Sequence, residues 1–155
     1  MNTMIEQRLA VHFSSASEEW ATPDDLFCEL NAIFHFDLDA CASSSNAKCP
    51  RYFSKSDDAL TRRWHGTVWL NPPYGRKIGA FMRKALEESI EGATVVCLVP
   101  SRTDTTWWHS YAKHGQVIFL RGRLKFGGSK SSAPFPSAIV IFWGGRFGRA
   151  IRNAA

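Results

Sequence analysis

The sequence predicts an α/β fold with a largely parallel sheet. Residues 67–70 and 94–99 form continuous apolar runs, which are typical of strands buried on both faces. Residues 76–91 lie between these runs, and their apolar side chains recur at the spacing of an amphipathic helix. Strands that alternate with helices indicate a parallel sheet. Two further strands, 116–120 and 137–143, have no helix between them, so they are predicted to pair antiparallel at the carboxyl end.

The amino-terminal half adds one helix and one short strand. A helix is predicted over 23–30, because Thr22 is a good N-cap and Pro23 suits the first helical position. Residues 36–39 have the pattern of a short strand, which runs into 40–46, a loop of small residues. Small residues let a ligand approach the backbone closely, so this loop is a candidate binding loop.

Length and composition favour one domain over the whole chain, 1–155. The 155 residues are 45% hydrophobic and 21% charged, as is ordinary for a globular protein. A short helix is predicted over 104–113, and the ends, 1–12 and 145–155, are candidates for flexible segments.

The sequence has no secretory signal, no membrane-spanning run, no CxxC pair and no common zinc pattern. A cytoplasmic protein with buried free thiols and no metal is therefore expected.

The most informative segment is the tetrapeptide Asn71-Pro72-Pro73-Tyr74, directly after the 67–70 run. Neither proline has an N–H and each fixes its φ, so the loop is stiff and its carbonyls are free acceptors. The Asn71 side-chain oxygen and the Pro72 carbonyl can together accept both hydrogens of a planar –NH2 group. Tyr74 offers a face on which a planar base or amide can stack. The pattern suits methylation of an exocyclic amine, and a purely structural Pro-rich turn is the alternative.

The predicted strand order brings several of these features to one edge of the sheet. Ligands of such sheets bind outside the carboxyl ends of the strands. The tips after Asp39, Leu70 and Val99 share that edge, so the small-residue loop, the tetrapeptide and Arg102 are predicted to surround one cleft.

The order of these motifs resembles the small Dam-like DNA N6-adenine methyltransferases of phages and prophages. The resemblance covers nearly the whole chain, in segments 19–23, 36–42, 46–53, 57–60, 68–74, 98–105, 121–126 and 133–137. It implies a Rossmann-like methyltransferase core, S-adenosylmethionine as methyl donor, S-adenosylhomocysteine as product and adenine in DNA as target. It also implies a phage or prophage protein acting in the cytoplasm of a bacterial host.

The resemblance also implies which residues bind the cofactor. They are Trp20, Thr22, Pro23, Asp39, Ala40, Cys41, Asp57, Asp58 and Asn71. The segment before the first helix is similar to the part that contacts the methionine end, and a helix N-terminus there can receive a carboxylate. Asp39, favoured over Asp37 by strand alternation, resembles the acid that binds the cofactor's ammonium group, although the usual Gly-x-Gly is missing. Either Asp57 or Asp58 resembles the carboxylate that accepts from the cofactor's adenine amine, and Asp58 is favoured.

The implied mechanism is in-line attack by the adenine N6 atom on the methyl group. The adenine amine is a poor nucleophile because its lone pair is delocalised, and acceptors at Asn71 and Pro72 favour a pyramidal nitrogen. A base inside a duplex cannot reach this loop, so flipping of the base is expected, with Tyr74 stacking on it. Positioning and fixed dipoles then supply most of the catalysis, and no metal is needed.

DNA contacts are predicted on a basic, Gly-rich loop, residues 121–130. The predicted DNA-binding residues are Arg102, Arg121, Arg123, Lys125, Phe126 and Lys130. The cations suit a phosphate backbone, and Phe126 is a candidate wedge or stacking group. The net charge of +5 is compatible with a polyanionic partner but is weak evidence by itself, and a solvated hairpin is the alternative.

Several other methyl acceptors also carry a planar –NH2 group that this tetrapeptide could bind. RNA adenine, a protein glutamine amide and cytosine N4 are alternative methyl acceptors, and a catalytically silent nucleic-acid-binding module is an alternative of another class. The glutamine enzymes normally carry a Gly-rich first motif and an added helical domain, and serine in place of Asn71 would favour cytosine. The recognition sequence (GATC by analogy only), the strand preference, the biological role and the oligomeric state, a homodimer included, stay open.

Overall fold

A computed structural model of the protein describes residues 20–154, apart from the side chains of residues 147, 151 and 152. The described chain is an α/β structure, as the sequence predicts. Its strands are β1 (Leu38–Asp39), β2 (Thr67–Leu70), β3 (Thr94–Pro100), β4 (Gln116–Phe119) and β5 (Ser137–Phe142). Its α-helices are α1 (Asp24–Phe34), α2 (Ile78–Ile90), α3 (Thr106–Ser110) and α4 (Gly145–Ala154).

The five strands form one mixed sheet in the order β1-β2-β3-β5-β4. β1, β2 and β3 pair in parallel, and Val68 of β2 lies opposite Leu38 on one side and Val95 on the other. β5 runs antiparallel to both β3 and β4. The predicted antiparallel pair at the carboxyl end is thus confirmed, and β5 is the strand that inserts between β4 and the parallel group.

The central strands are buried on both faces. Every residue of β5 is buried, and in β3 only Thr94 is partly exposed. Trp69 of β2 is fully buried and packs against Phe27 of α1 and against Phe36, with ring centroids 5.6 and 5.5 Å away. The continuous apolar runs of the sequence therefore correspond to strands that have structure on both sides.

The first helix differs from its prediction at both ends. α1 runs from Asp24 to Phe34, so it extends past the predicted end at residue 30 and stops at His35, whose φ is 52°. Pro23 occupies the N-cap position and the helix has no side-chain cap. The prediction of Thr22 as N-cap is wrong, because its hydroxyl is hydrogen-bonded to Asn71 instead.

Two other predicted segments are corrected. The helix predicted over 104–113 is divided into α3 and a short 3-10 segment, Ala112–His114. Within the segment 145–155, which was predicted as a candidate flexible end, residues Gly145–Ala154 form a helix, α4, which lies against α2. Gly145 and Gly148 lower the helix propensity of this segment, although its apolar residues Phe147, Ala150, Ile151 and Ala154 recur at helical spacing in the sequence. The predicted flexible segment 1–12 lies outside the described residues. None of the described helices is long and apolar enough to cross a membrane.

Candidate active site

A cavity of about 1040 Å³ opens at the carboxyl ends of β1 and β2. Its walls come from the segment before α1, the loop after β1, the stretch 52–60 and the first three residues of the tetrapeptide. Phe53 of that stretch donates its backbone N–H to the Asp39 carbonyl at 2.9 Å, which holds the wall alongside β1. The predicted meeting of the small-residue loop and the tetrapeptide around one cleft is confirmed. Arg102 is exposed and does not line this cavity.

The Asn71 side chain is held by hydrogen bonds from its nitrogen. Nδ2 donates to the backbone carbonyl of Trp20 and to Oγ1 of Thr22, the latter at 3.0 Å. Asn71 Oδ1 is buried and has no hydrogen-bond partner among the described residues. A buried acceptor without a donor is costly, so this oxygen is suited to a donor that arrives with a ligand.

The other tetrapeptide residues differ in what they present to the cavity. Pro72 and Pro73 line it, and Pro72 is buried. Tyr74 is buried as well, and its hydroxyl donates to the Leu98 carbonyl at 3.2 Å. The Tyr74 ring packs against Phe126 and Phe135 with centroids 6.2 and 5.6 Å apart and does not line the cavity. The ring face that the sequence was expected to offer to a base is therefore already within a packed aromatic cluster.

Asp39 places a buried carboxylate in the cavity wall. Its oxygens accept from the backbone N–H groups of Cys41 at 3.2 Å and Lys48 at 3.0 Å, which curls the small-residue loop around the carboxylate. Burial raises the pKa of Asp39 from 3.8 to about 6, against the opposing effect of these two bonds. Ala40 and Cys41 line the cavity beside it. Asp37 is exposed and accepts from the Thr67 N–H at 2.8 Å.

The structure separates Asp57 from Asp58. Asp57 closes a capping box with Ser54, whose N–H and hydroxyl both reach its carboxylate, and these bonds hold the pKa of Asp57 below its usual value. Asp58 lines the cavity with φ of 49°, and its carboxylate makes no hydrogen bond within the described part of the chain. Asp58 is thus the acid that is available to a ligand, in line with the sequence preference.

The segment before α1 forms the opposite wall. Trp20, Ala21 and Thr22 line the cavity, whereas Pro23 does not. The Ala21 carbonyl accepts from the Gly127 N–H at 2.9 Å, so this wall is fastened to the basic loop.

The basic loop displays its cations and buries its aromatic ring. The residues Arg121, Arg123, Lys125 and Lys130 are exposed, and none of them forms an ion pair with a described residue. Phe126 is 4% exposed and packs edge-on against Trp20, with the ring centroids 5.5 Å apart. The expectation that Phe126 wedges into or stacks on DNA is wrong for this structure, because the ring is part of the core that supports Trp20 and Tyr74.

Three lysines that line the cavity were not among the predicted site residues. Lys48 reaches the cavity and pairs with Asp24 of α1. Lys55 and Lys77 are exposed at its edge, and neither forms an ion pair within residues 20–154. The position of Lys77 shortly after the tetrapeptide is the one signal that marks it in the sequence.

None of the four cysteines forms a disulfide, but they are not all buried. Cys28 is exposed and Cys41 is partly exposed, which corrects the expectation of burial for these two thiols. Cys49 is buried, and its pKa is raised to about 11, mainly by burial. Cys97 is buried in β3, which also raises its pKa. Within the described residues, no group of three or more His, Cys, Asp or Glu side chains is placed to hold a metal ion.

Comparisons with known proteins agree with the motifs. A family model described as DNA N-6-adenine-methyltransferase (Dam) matches residues 12–145. The chain is 35% identical over 109 residues to the DNA N-6-adenine-methyltransferase of Escherichia phage T1, a match covering 68% of this chain and 45% of that protein. It is 30% identical over 138 residues to the DNA N-6-adenine-methyltransferase of Haemophilus phage HP1 (strain HP1c1). That match covers 83% of this chain and 80% of the phage HP1 protein. The resemblance is therefore confirmed, and the chain belongs to the DNA N-6-adenine-methyltransferase (Dam) family.

Proposed function

We propose that this chain transfers a methyl group from S-adenosylmethionine to the N6 amine of adenine in DNA. The observation that carries the proposal is the Asn71 side chain, whose buried Oδ1 has no partner in the described structure. An amine hydrogen is a suitable donor for that oxygen, and the family match makes adenine the candidate amine. The mixed sheet is interpreted as a Rossmann-like methyltransferase core.

The size and the charges of the cavity support the proposal of this cofactor. The cavity volume of about 1040 Å³ is just above the roughly 300–1,000 Å³ that is usual for ligand pockets. The Asp39 carboxylate suits an ammonium group, and the Asp58 carboxylate suits an adenine amine. When bound, S-adenosylmethionine supplies an electrophilic methyl group on a positively charged sulfur.

The tetrapeptide is assigned to positioning and activating the amine. Asn71 Oδ1 accepts one amine hydrogen and the Pro72 carbonyl accepts the other, which favours the pyramidal, nucleophilic nitrogen. Pro73 keeps the loop stiff, since its φ is fixed. The Asn71 side chain is already held by two hydrogen bonds, which supports an acceptor that needs little reorganisation when the amine binds.

DNA binding is assigned to exposed cations at the cavity edge and on the basic loop. Lys55 and Lys77 lie at its edge, and the basic loop supplies Arg121, Arg123, Lys125 and Lys130. Arg102 is a further exposed cation after β3. Phosphate contacts of this kind position the duplex while the target base is flipped out. Stacking of Tyr74 on that base stays a prediction, because in this structure its ring supports the aromatic cluster below the loop.

The test is methyl transfer from labelled S-adenosylmethionine to unmethylated duplex DNA, with nucleoside analysis of the product. Label in N6-methyladenine is the expected result. Cofactor binding with label in RNA adenine or a protein amide, and none in DNA, would replace the substrate. Failure to bind the cofactor at all would overturn the methyltransferase assignment.

A further inference from the structure

We propose that Thr22 is a positioning residue for methyl transfer, because it holds the Asn71 side chain with its oxygen directed at the substrate amine. This role depends on the function proposed above. Thr22 lies 49 positions before Asn71 in the sequence, yet its Oγ1 is 3.0 Å from Asn71 Nδ2. Thr22 is 5% exposed and lines the cavity.

The orientation of the Asn71 amide decides whether it can accept the amine. The two ends of an asparagine amide have nearly the same shape, but one end donates two hydrogen bonds and the other only accepts. With the amide turned by 180°, the –NH2 group of Asn71 would face the –NH2 group of the substrate. Two donors would then oppose each other, and the nitrogen of the substrate would not be activated.

The Trp20 carbonyl selects the productive orientation. A carbonyl can only accept, so the group that lies against it must be Asn71 Nδ2. The reversed amide would set two oxygens against each other. The Trp20 ring packs at about right angles to Phe135, with centroids 5.2 Å apart, which keeps this carbonyl in place.

Thr22 binds the remaining hydrogen of the Asn71 amide group. With both nitrogen-bound hydrogens occupied, rotation of the side chain breaks two hydrogen bonds instead of one. Hydrogen bonds that share one amide also polarise it, which makes Oδ1 a better acceptor. A threonine hydroxyl accepts as well as donates, so Thr22 adds strength to the orientation that the Trp20 carbonyl has selected.

The experiment compares Thr22→Val with Thr22→Ser. Valine keeps the shape of threonine and removes the hydroxyl, whereas serine keeps the hydroxyl. Thr94→Val is the matched control, since Thr94 Oγ1 also accepts an N–H bond, from Gly144 at 3.2 Å, at the other end of β3. Single-turnover methyl transfer, cofactor dissociation constant and Tm are measured for each variant.

We expect Thr22→Val to lower the single-turnover rate by about tenfold, the effect of one lost hydrogen bond. Cofactor affinity should stay within about twofold, a change too small to count as a lost hydrogen bond. Thr22→Ser and Thr94→Val should keep the wild-type rate. A full rate in Thr22→Val, an equal loss in Thr22→Ser, or a parallel loss of cofactor affinity would overturn the positioning role.

A thermodynamic cycle tests the contact without relying on activity. Thr22→Val, Asn71→Ala and the double variant are unfolded in denaturant, and a bond between the two side chains requires their effects to be non-additive. Additive effects would overturn the inference. Wild-type protein that transfers no methyl group to DNA overturns the proposed function and the inference together, whereas an active wild type with an unimpaired Thr22→Val overturns only the inference.

Discussion

The loop that carries Asn71 and the basic loop, residues 121–130, hold their polar groups in different ways. Asn71 is fixed by two hydrogen bonds with its acceptor buried. The four cations of the basic loop are exposed and unpaired within the described structure. A fixed, desolvated polar group contributes to catalysis through its exact position. An exposed cation attracts DNA through its charge, and dissolved salt screens that attraction. Substitutions in the first loop should therefore change rates strongly, and those in the second should change DNA affinity weakly.

The largest effect is expected from Asn71→Ala. Removal of the preorganised acceptor should lower methyl transfer on the order of 1000-fold, while cofactor affinity stays within a few-fold. Asn31→Ala is the control, because Asn31 is hydrogen-bonded through its side chain, accepting the backbone N–H of Phe36 at 2.9 Å, but lies near the end of α1 and does not line the cavity. Radiolabel transfer and calorimetric cofactor binding measure the two quantities. A variant that loses cofactor affinity as steeply as rate would contradict the assignment of Asn71 to the amine.

The next largest effect is expected in cofactor affinity, which should depend on pH because Asp39 titrates. Burial raises its pKa to about 6, so the free protein gains stability from this group at low pH and loses it as pH rises through 6. An ammonium ligand prefers the ionised carboxylate, so its affinity should fall about tenfold from pH 7 to pH 5, a range where an α-amino group stays charged.

Calorimetry across that pH range, on wild type and on Asp39→Asn, measures the effect. The variant should bind the cofactor about 10- to 100-fold more weakly at pH 7 and should lack the pH dependence. Asp37→Asn, a change at an exposed acid on the same segment, should behave as wild type. A wild-type affinity that is flat from pH 5 to 7 would remove Asp39 from the ammonium site.

Substitutions of the neighbouring acids Asp57 and Asp58 should have different effects. Asp58→Ala should weaken cofactor binding about tenfold, as expected for a lost hydrogen bond to a charged group. Asp57→Ala should leave that affinity unchanged and lower Tm, because it removes the capping box with Ser54. Binding and melting curves on both variants give the comparison. The reverse pattern would place the cofactor against Asp57.

The smallest effect is expected in the basic loop. Lys125→Gln should weaken DNA binding by a few-fold and should reduce the slope of log affinity against log salt by about one. The transfer rate at saturating DNA should not change. Lys113→Gln, at an exposed lysine on the 3-10 segment after α3, is the control. An unchanged salt slope in Lys125→Gln would remove this lysine from the DNA contacts.

Local sequence patterns were sufficient to predict the main strands of the sheet and their relative directions. The apolar runs at β2, β3 and β5 predicted buried strands, and the missing helix between β4 and β5 predicted their antiparallel pairing. The acid at the end of β1 and the tetrapeptide at the end of β2 were placed at one edge, because parallel strands point the same way. Each of these features depends on residues close together in the chain.

Several site features were fixed only by contacts between residues far apart in the chain. The hydroxyl of Thr22 was predicted to cap α1 and instead bonds to Asn71, 49 positions later. Phe126 was predicted to be a wedge or stacking group on DNA, but its ring packs against Trp20. For both side chains the local sequence suggested one role, but the structure places each against a partner that is distant in the chain.

The sequence by itself determined the fold class, the family and the chemical groups at the cleft. Only the tertiary structure decided which way those groups face: which oxygen of Asn71 is free, which of two adjacent aspartates lines the cavity, and whether Tyr74 is open or packed. The physical reason is that burial and hydrogen-bond pairing depend on the whole set of neighbours around a side chain. A local pattern specifies the side chain but not those neighbours.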